Sequence, residues 1–286
     1  MSATAHQPQA YRQGVLAIIT ASVLWSLAGI GIKIVHAEAP AIALVRALAA
    51  AVTFRILFGP QVFRLSAMTL LTAGFYVSIT LGFIYATRLT SAANAIFLQY
   101  TAPVYILIVE PWLFQIPRRR RDVWTVIACL AGMVLFFWGS LGSPNLAGDL
   151  LALGTGVMMA GFMVAQRYNK PEYHAASIFW GNILLALICL PILITTGAWP
   201  DPAAIGLLIG MGIIQLGIPY ALFTYSIGRI LAIDVVLLSM LEPVLNPLWV
   251  MIGFGERPSW HTIAGGAIIL LSLAIRALIM QRESRS

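Results

Sequence analysis

Ten stretches of about 20 apolar residues occupy nearly all of this 286-residue chain. A helix of that length spans the hydrocarbon core of a bilayer, and a helix leaves no backbone polar group unpaired there. The stretches cover residues 14–35, 40–58, 67–87, 92–115, 123–140, 148–168, 174–196, 203–228, 231–254 and 260–280. The sequence therefore predicts an all-α integral membrane protein, with ten transmembrane helices in a single transmembrane domain.

Composition supports the same class, because 60% of the residues are hydrophobic and only 9% are charged. Soluble domains carry charge on about a quarter of their residues. The first apolar stretch is too long for a signal peptide and lacks the small-residue cleavage site. We therefore expect a multi-pass protein of the prokaryotic inner (plasma) membrane, with no separate soluble domain.

The net charge of +7 has a topological explanation. Most Lys and Arg residues fall in the loops that are cytoplasmic if the amino terminus is cytoplasmic, and basic loops stay on that side. Both termini are therefore predicted to be cytoplasmic. The run Arg118 to Arg121 could instead be a nucleic-acid patch, but the distribution of charge favours topology. The predicted partners are the lipid bilayer and a small-molecule substrate, with no nucleic acid; homo-oligomer formation is left open.

The two halves of the chain resemble each other when the sequence is shifted by 140 residues. The shift aligns identical residues, namely Tyr85 with Tyr225, Ala92 with Ala232, Leu98 with Leu238, Pro103 with Pro243 and Phe114 with Phe254. Five crossings per unit force the second unit to enter from the opposite side. The sequence thus predicts two inverted five-helix repeats, residues 1–140 and 141–286, around a central cavity, as in many secondary transporters.

Prolines at membrane depth are matched between the halves. Pro103 and Pro243 should leave the carbonyls of Gln99 and Ser239 unpaired, because a proline lacks the donor for the residue four positions earlier. Pro219 and Pro247 should act in the same way. Irregular backbone at membrane depth is tolerated only where it is buried in protein or faces a water-filled cavity. We therefore expect hinges or gates at these four prolines. Alternatively, they only fix helix curvature.

Two charged residues lie within apolar stretches. Glu242 stands near the centre of its helix, where a carboxylate costs about 2.5–3.5 kcal/mol, so it is a candidate for proton coupling or a structural anchor. Arg46 lies close enough to the outer surface to extend its side chain there, which favours a structural role. Glu110 and Asp234 fall near cytoplasmic helix ends, where we expect them to be solvated.

Aromatic, amide and thioether side chains supply the candidate substrate site. Rings provide contact area and amides fix orientation, which suits a small amphipathic solute, and methionines adapt to several shapes. The candidates are Trp25, Tyr76, Gln99, Tyr100, Met158, Met163, Trp180, Gln215, Tyr220 and Ser239. Taken one at a time, each of these residues is better explained by helix packing than by contact with a ligand.

Other chemistry finds no support in the sequence. Cys129 and Cys189 lack paired spacing, and the four histidines form no metal motif. No nucleotide-binding glycine loop and no catalytic constellation are present. We expect no metal, no cofactor and no enzymatic activity.

With these residues in hand, the chain resembles the EamA-type members of the drug/metabolite transporter superfamily. The segment from Trp25 to Lys33, WSLAGIGIK, is similar to the opening motif of that family, and Pro40 and Arg46 match its second helix. The family's ninth-helix signature resembles LEPVLNPLWVMIGFGERPSW. The first half departs from the pattern, since Ile116 occupies the position where the repeat would place an acid.

The resemblance implies ten helices around a central cavity and export of small molecules. The segment FLQYTAP is similar to the fourth helix of the branch that exports aromatic and other amino acids, in which Tyr100 matches a cavity tyrosine. We therefore expect amino-acid export by alternating access. Alternatives are a drug, nucleoside-like or sugar transporter of the same fold, or a non-transporting scaffold. Phosphorylated substrates fit less well, because basic residues are predicted only at helix ends.

Overall fold

A computed structural model describes residues 8–27, 35, 37–90, 92–117, 119–138, 145–254 and 259–283. Within these ranges every regular element is helical, which confirms the all-α prediction. The helices of the first half are α1 (Pro8–Ser26), α2 (Ala39–Phe58), α3 (Ala67–Leu89), α4 (Ala92–Gln99), α5 (Ala102–Phe114) and α6 (Arg120–Phe136). A short 3-10 turn, Gly59–Phe63, follows α2.

The second half continues the helical pattern. Its α-helices are α7 (Leu146–Tyr168), α8 (Pro171–Thr196), α9 (Pro202–Met211), α10 (Ile218–Ile227), α11 (Ala232–Ser239), α12 (Leu241–Phe254) and α13 (Trp260–Glu283). A π-helical segment, Gly212–Gly217, joins α9 to α10. Each predicted apolar stretch overlaps helical structure. Six of the described spans are long and apolar enough to cross a membrane, and Trp260–Arg276 is a shorter apolar helix.

Two of the predicted stretches are broken at equivalent places. The first half breaks between Gln99 and Ala102, and the second half breaks at Met240. Pro103 and Pro243 each fall within the first three residues of the helix that follows the break. A proline is tolerated in the first turn, since its missing N–H would have no helical partner there. The matched prolines therefore start new helices.

Helices from the two halves pack against one another throughout the bundle. The most extensive pairings join α3 to α7, α2 to α8, α6 to α13 and α3 to α8, followed by α1 to α10. Small residues allow close approach, as at Gly82 of α3, where an added Cβ would lie 2.7 Å from Cγ2 of Thr155. Such contacts are typical of helices packed inside a bilayer.

Side chains at the bundle surface are largely apolar. Five tryptophans near helix ends are exposed, namely Trp112, Trp124, Trp138, Trp199 and Trp260. That placement suits membrane-interface positions. Cys129 and Cys189 are free and buried.

Candidate functional site

A cavity of about 650 Å³ lies where the two halves meet. Helices α1 to α4 of the first half and α7, α8 and α10 to α12 of the second contribute to its walls. The structure brings most of the predicted site residues to these walls: Trp25, Tyr76, Gln99, Tyr100, Met163, Gln215, Tyr220, Ser239, Glu242 and Pro243. A cavity of this size accommodates a small organic solute.

Four predicted residues whose side chains are described are absent from this lining. Met158 is replaced by its neighbour Met159, because Met159 and Met163 share one face of α7 and Met158 is turned about 100° away. Trp180 instead packs edge-on against Phe179, with ring centroids 5.6 Å apart. Pro103 and Pro219 lie in the first turns of α5 and α10, behind the cavity wall. Pro247 lies within α12, and its side chain is outside the described set.

Aromatic rings form a continuous wall on one side of the cavity. The ring of Tyr220 lies edge-on to those of Trp25 and Tyr76, with centroid distances of 5.1 and 5.2 Å. Phe162 stacks on Phe223 at 5.4 Å. Edge-to-face and stacked pairs stabilise one another beyond simple burial. The wall therefore offers a large aromatic surface to a ligand.

Tyr76 is held in this wall by α8. Its hydroxyl donates a hydrogen bond to Oδ1 of Asn182 at 3.1 Å, and the Asn182 amide donates to the carbonyl of Ile178. Its ring lies over Gly181, where an added Cβ would be 2.7 Å from Cδ1 of the ring. Asn182 is thus a supporting residue that sequence reasoning missed.

Glu242 has a partner across the cavity wall. The Tyr100 hydroxyl lies 2.9 Å from Oε2 of Glu242 and 3.2 Å from the carbonyl oxygen of Ser239. That carbonyl is the one that Pro243 deprives of a helical donor. Because a tyrosine has one hydroxyl proton, the two acceptors share it. The break after α4 is thereby joined to the break after α11.

The structure corrects the expectation for Arg46. Its side chain lines the cavity, and Nη2 lies 3.4 Å from Oε1 of Gln215. The reason is the π segment, which sits directly on α2: an added Cβ at Gly212 would be 2.7 Å from the Arg46 carbonyl oxygen. This close approach places Gln215 beside the guanidinium. The expected extension of Arg46 to the outer surface is therefore wrong.

Buried ion pairs occupy the other end of the bundle. Glu110 and Asp234 are only 4% and 2% exposed, so the expectation that they are solvated is wrong. Glu110 accepts hydrogen bonds from the backbone N–H groups of Ala232 and Ile233, at 2.8 and 3.1 Å, and pairs with Arg167 at 3.3 Å. A carboxylate at these free N–H groups caps the start of α11 from a different helix.

A second group of charges lies beside this cap. Arg276 of α13 pairs with Asp234 of α11 and, at 3.1 Å, with Asp122 of α6. Together Glu110, Asp122, Arg167, Asp234 and Arg276 form a charged cluster that ties five helix ends together. The predicted topology places all five ends on the cytoplasmic side. No metal-binding group of His, Cys, Asp or Glu occurs in the described ranges.

The cavity extends away from the charged cluster. Its lining runs from the two helix breaks to Ala39, the first residue of α2, and to Thr87 near the end of α3. A helical bundle with apolar spans, a central cavity and one sealed end defines the class of a small-molecule membrane transporter. Comparison with known families agrees: the chain belongs to the EamA-like transporter family, whose model matches residues 12–138 and again 146–277. This confirms the resemblance noted from the sequence.

Several relatives carry assigned names. The chain is 29% identical over 198 residues to the threonine/homoserine exporter RhtA of Escherichia coli strain K12, covering 67% of this chain and 64% of RhtA. It is 25% identical over 275 residues to the pseudopaline exporter CntI of Pseudomonas aeruginosa strain UCBPP-PA14, covering 91% and 94%. The chain therefore spans just under two thirds of the length of RhtA. These relatives are transporters, consistent with a protein that is not an enzyme.

A solved crystal structure shares the fold. The TM-score is 0.80 at 24% identity, and the match covers 94% of this chain and 98% of the other. The two family signatures at Lys33 and Glu256 lie outside the described residues. Within the described part, the signal that could have revealed Arg46 as a cavity residue is its position in an otherwise apolar helix.

Proposed function

We propose that this protein exports small amphipathic metabolites, most of all amino acids including aromatic ones, by alternating access. The observation that carries the proposal is the cavity between the two halves, with its aromatic wall and a few polar groups. Rings of Trp25, Tyr76 and Tyr220 supply contact area, and Gln99 and Gln215 supply amide groups. Both named relatives being exporters supports the direction of transport.

The architecture behind this function is two inverted repeats, residues 1–140 and 141–286, with ten crossings in total. The packing of α3 on α7 and of α1 on α10 supports this, since the two pairs exchange when each segment is replaced by its repeat equivalent. The equivalent breaks before Pro103 and Pro243 support it as well. In this arrangement the helix breaks are hinges on either side of one site.

The described state faces outward in the proposed topology. Both termini are cytoplasmic in a prokaryotic inner membrane, so the charged cluster is the closed cytoplasmic gate. Its helix ends must separate when the cavity opens inward. The Glu110 cap on α11 and its pair with Arg167 would then be broken together, since both use the same carboxylate.

The proposal is tested by transport in proteoliposomes that contain the purified protein. Radiolabelled amino acids are loaded one at a time, and counterflow is followed with and without a pH gradient. We expect saturable transport of several amino acids, with aromatic ones among them, above that of empty liposomes. Absence of transport for every amino acid, alongside transport of a sugar or nucleoside, would replace this function with the metabolite alternative.

A further inference from the structure

Arg46 lacks a counter-ion in the described structure. Among the described residues its one hydrogen-bond partner is Gln215, at a long 3.4 Å, and its buried Nε has no acceptor there. The other buried arginines behave differently, because Arg167 and Arg276 each pair with carboxylates. An unpaired cation at membrane depth is costly, and such residues usually serve a pathway. An anionic ligand would therefore stabilise the Arg46 side chain.

The backbone of Arg46 is held against the π segment, which places the base of its side chain at the cavity wall. The close seat of the π segment on α2 holds the Arg46 backbone, with Gly212 and Gly217 lying against α2 without side chains. Gln215 occupies one donor on one edge of the guanidinium. Arginine has five donors in a planar fork, so the bond to Gln215 leaves further donors on the guanidinium without a partner in the described part of the chain. That geometry matches a carboxylate held by two parallel hydrogen bonds.

The charges along the described lining narrow the ligand class. Arg46 is the cation there and Glu242 the carboxylate. Glu242 is occupied by the Tyr100 hydroxyl and forms no ion pair with Arg46. One cation and one carboxylate give the described lining no net formal charge. Such a lining suits a solute of no net charge better than a doubly charged phosphate.

We propose that Arg46 is the receptor for the carboxylate of the transported solute, and that the cavity selects zwitterions over the corresponding amines. The substrate's carboxylate supplies the missing counter-ion, and its side chain lies on the aromatic wall of Trp25, Tyr76 and Tyr220. Trp25 lines the same wall, and its buried indole N–H has no acceptor among the described residues. This assignment rests on the proposed function.

The test compares phenylalanine with phenethylamine, which lacks only the carboxylate. Each compound competes with labelled phenylalanine in counterflow, and each is also titrated against the purified protein by thermal shift. A charge-assisted pair lost from a dry site is worth tenfold or more in affinity. We expect wild-type protein to prefer phenylalanine by at least about tenfold, and Arg46→Gln to lose this preference while its response to phenethylamine is unchanged. Arg46→Lys should keep part of the preference.

Arg55→Gln is the matched control, because Arg55 lies on the same helix, is exposed and sits over the Phe63 ring outside the cavity. Preserved preference in Arg46→Gln would overturn the proposal. Equal binding of phenylalanine and phenethylamine by the wild-type protein would also overturn it, and that measurement needs no variant. If no amino acid is transported but 3-phenylpropionate binds in an Arg46-dependent way, the proposed export of amino acids fails and the carboxylate site stands.

Discussion

At the scale of single residues, the Tyr100 hydroxyl is the group that links the two helix breaks at the cavity wall. It lies within hydrogen-bond distance of the Glu242 carboxylate, at 2.9 Å, and of the Ser239 carbonyl, at 3.2 Å. The sequence predicted the free carbonyl at Ser239 from Pro243, yet it could not supply the donor. That donor lies 139 residues away along the chain. Only folding brings the two helix breaks within reach.

Removal of this hydroxyl should affect both stability and transport. In Tyr100→Phe the Ser239 carbonyl and Glu242 lose their donor, which costs about 1–3 kcal/mol for a buried group. We expect a lower melting temperature and slower counterflow. Tyr105→Phe is the control, because the Tyr105 hydroxyl makes no hydrogen bond among the described contacts. Equal behaviour of the two variants would rule out this role for Tyr100.

Glu242 is the candidate for coupling to protons. Glu242→Gln keeps the shape and the hydrogen bond to Tyr100 but cannot release a proton. We expect transport driven by a pH gradient to fall by tenfold or more, while exchange at equal pH stays near that of the wild type, because only the charge-changing step is removed. Both activities are measured in the same proteoliposomes. If both fall together, Glu242 is a structural anchor; if neither falls, transport follows the substrate gradient alone.

At the scale of elements, the break between α4 and α5 is packed against a glycine of α7. A Cβ added to Gly156 would meet Oγ1 of Thr101 at 2.9 Å and the carbonyls of Gln99 and Leu98 at 3.0 Å. Backbone carbonyls cannot move aside as flexible side chains do. Gly156 therefore fixes how closely the first hinge approaches α7.

This contact gives a prediction with a control on the same helix. Gly156→Ala should lower the free energy of unfolding by about 1–3 kcal/mol through overpacking. Gly154→Ala, where an added Cβ meets nothing within 4 Å, should be neutral or stabilising, because alanine favours helix over glycine. Thermal unfolding in detergent measures both. A stable Gly156→Ala protein would show that the hinge tolerates displacement.

At the scale of the whole molecule, the balance between the sealed end and the cavity sets which side is open. Thr80 lies on the cavity wall, so a cysteine placed there reports access from the outer side to a membrane-impermeant thiol reagent. In a Thr80→Cys background, Glu110→Gln weakens the cap on α11 and removes the pair with Arg167. In the proposed topology, in which the cavity opens outward, we expect at least about threefold slower labelling from outside, as the population shifts inward.

Glu172→Gln provides the comparison for that experiment, since Glu172 is an exposed acid in the first turn of α8. It should label at the rate of the Thr80→Cys parent. Cys129 and Cys189 are buried and set the background. Unchanged labelling in Glu110→Gln would show that the charged cluster is not the gate.

The sequence by itself determined the class of fold, the positions of the helices and most of the polar and aromatic residues predicted for the cavity, although not the greater part of its lining. Apolar stretches of membrane length can only be helices, and two matched prolines mark two of the breaks, so these properties are local. Other prolines lie inside helices without ending them. Which face of a helix meets the cavity is a tertiary matter, as the exchange of Met158 for Met159 shows. The environment of a charged side chain is also a tertiary matter. Arg46, Glu110 and Asp234 lie in apolar stretches or near helix ends of the sequence, but their partners come from helices far along the chain. Only the packed bundle decides that Glu110 and Asp234 are paired and that Arg46 faces the cavity without a counter-ion.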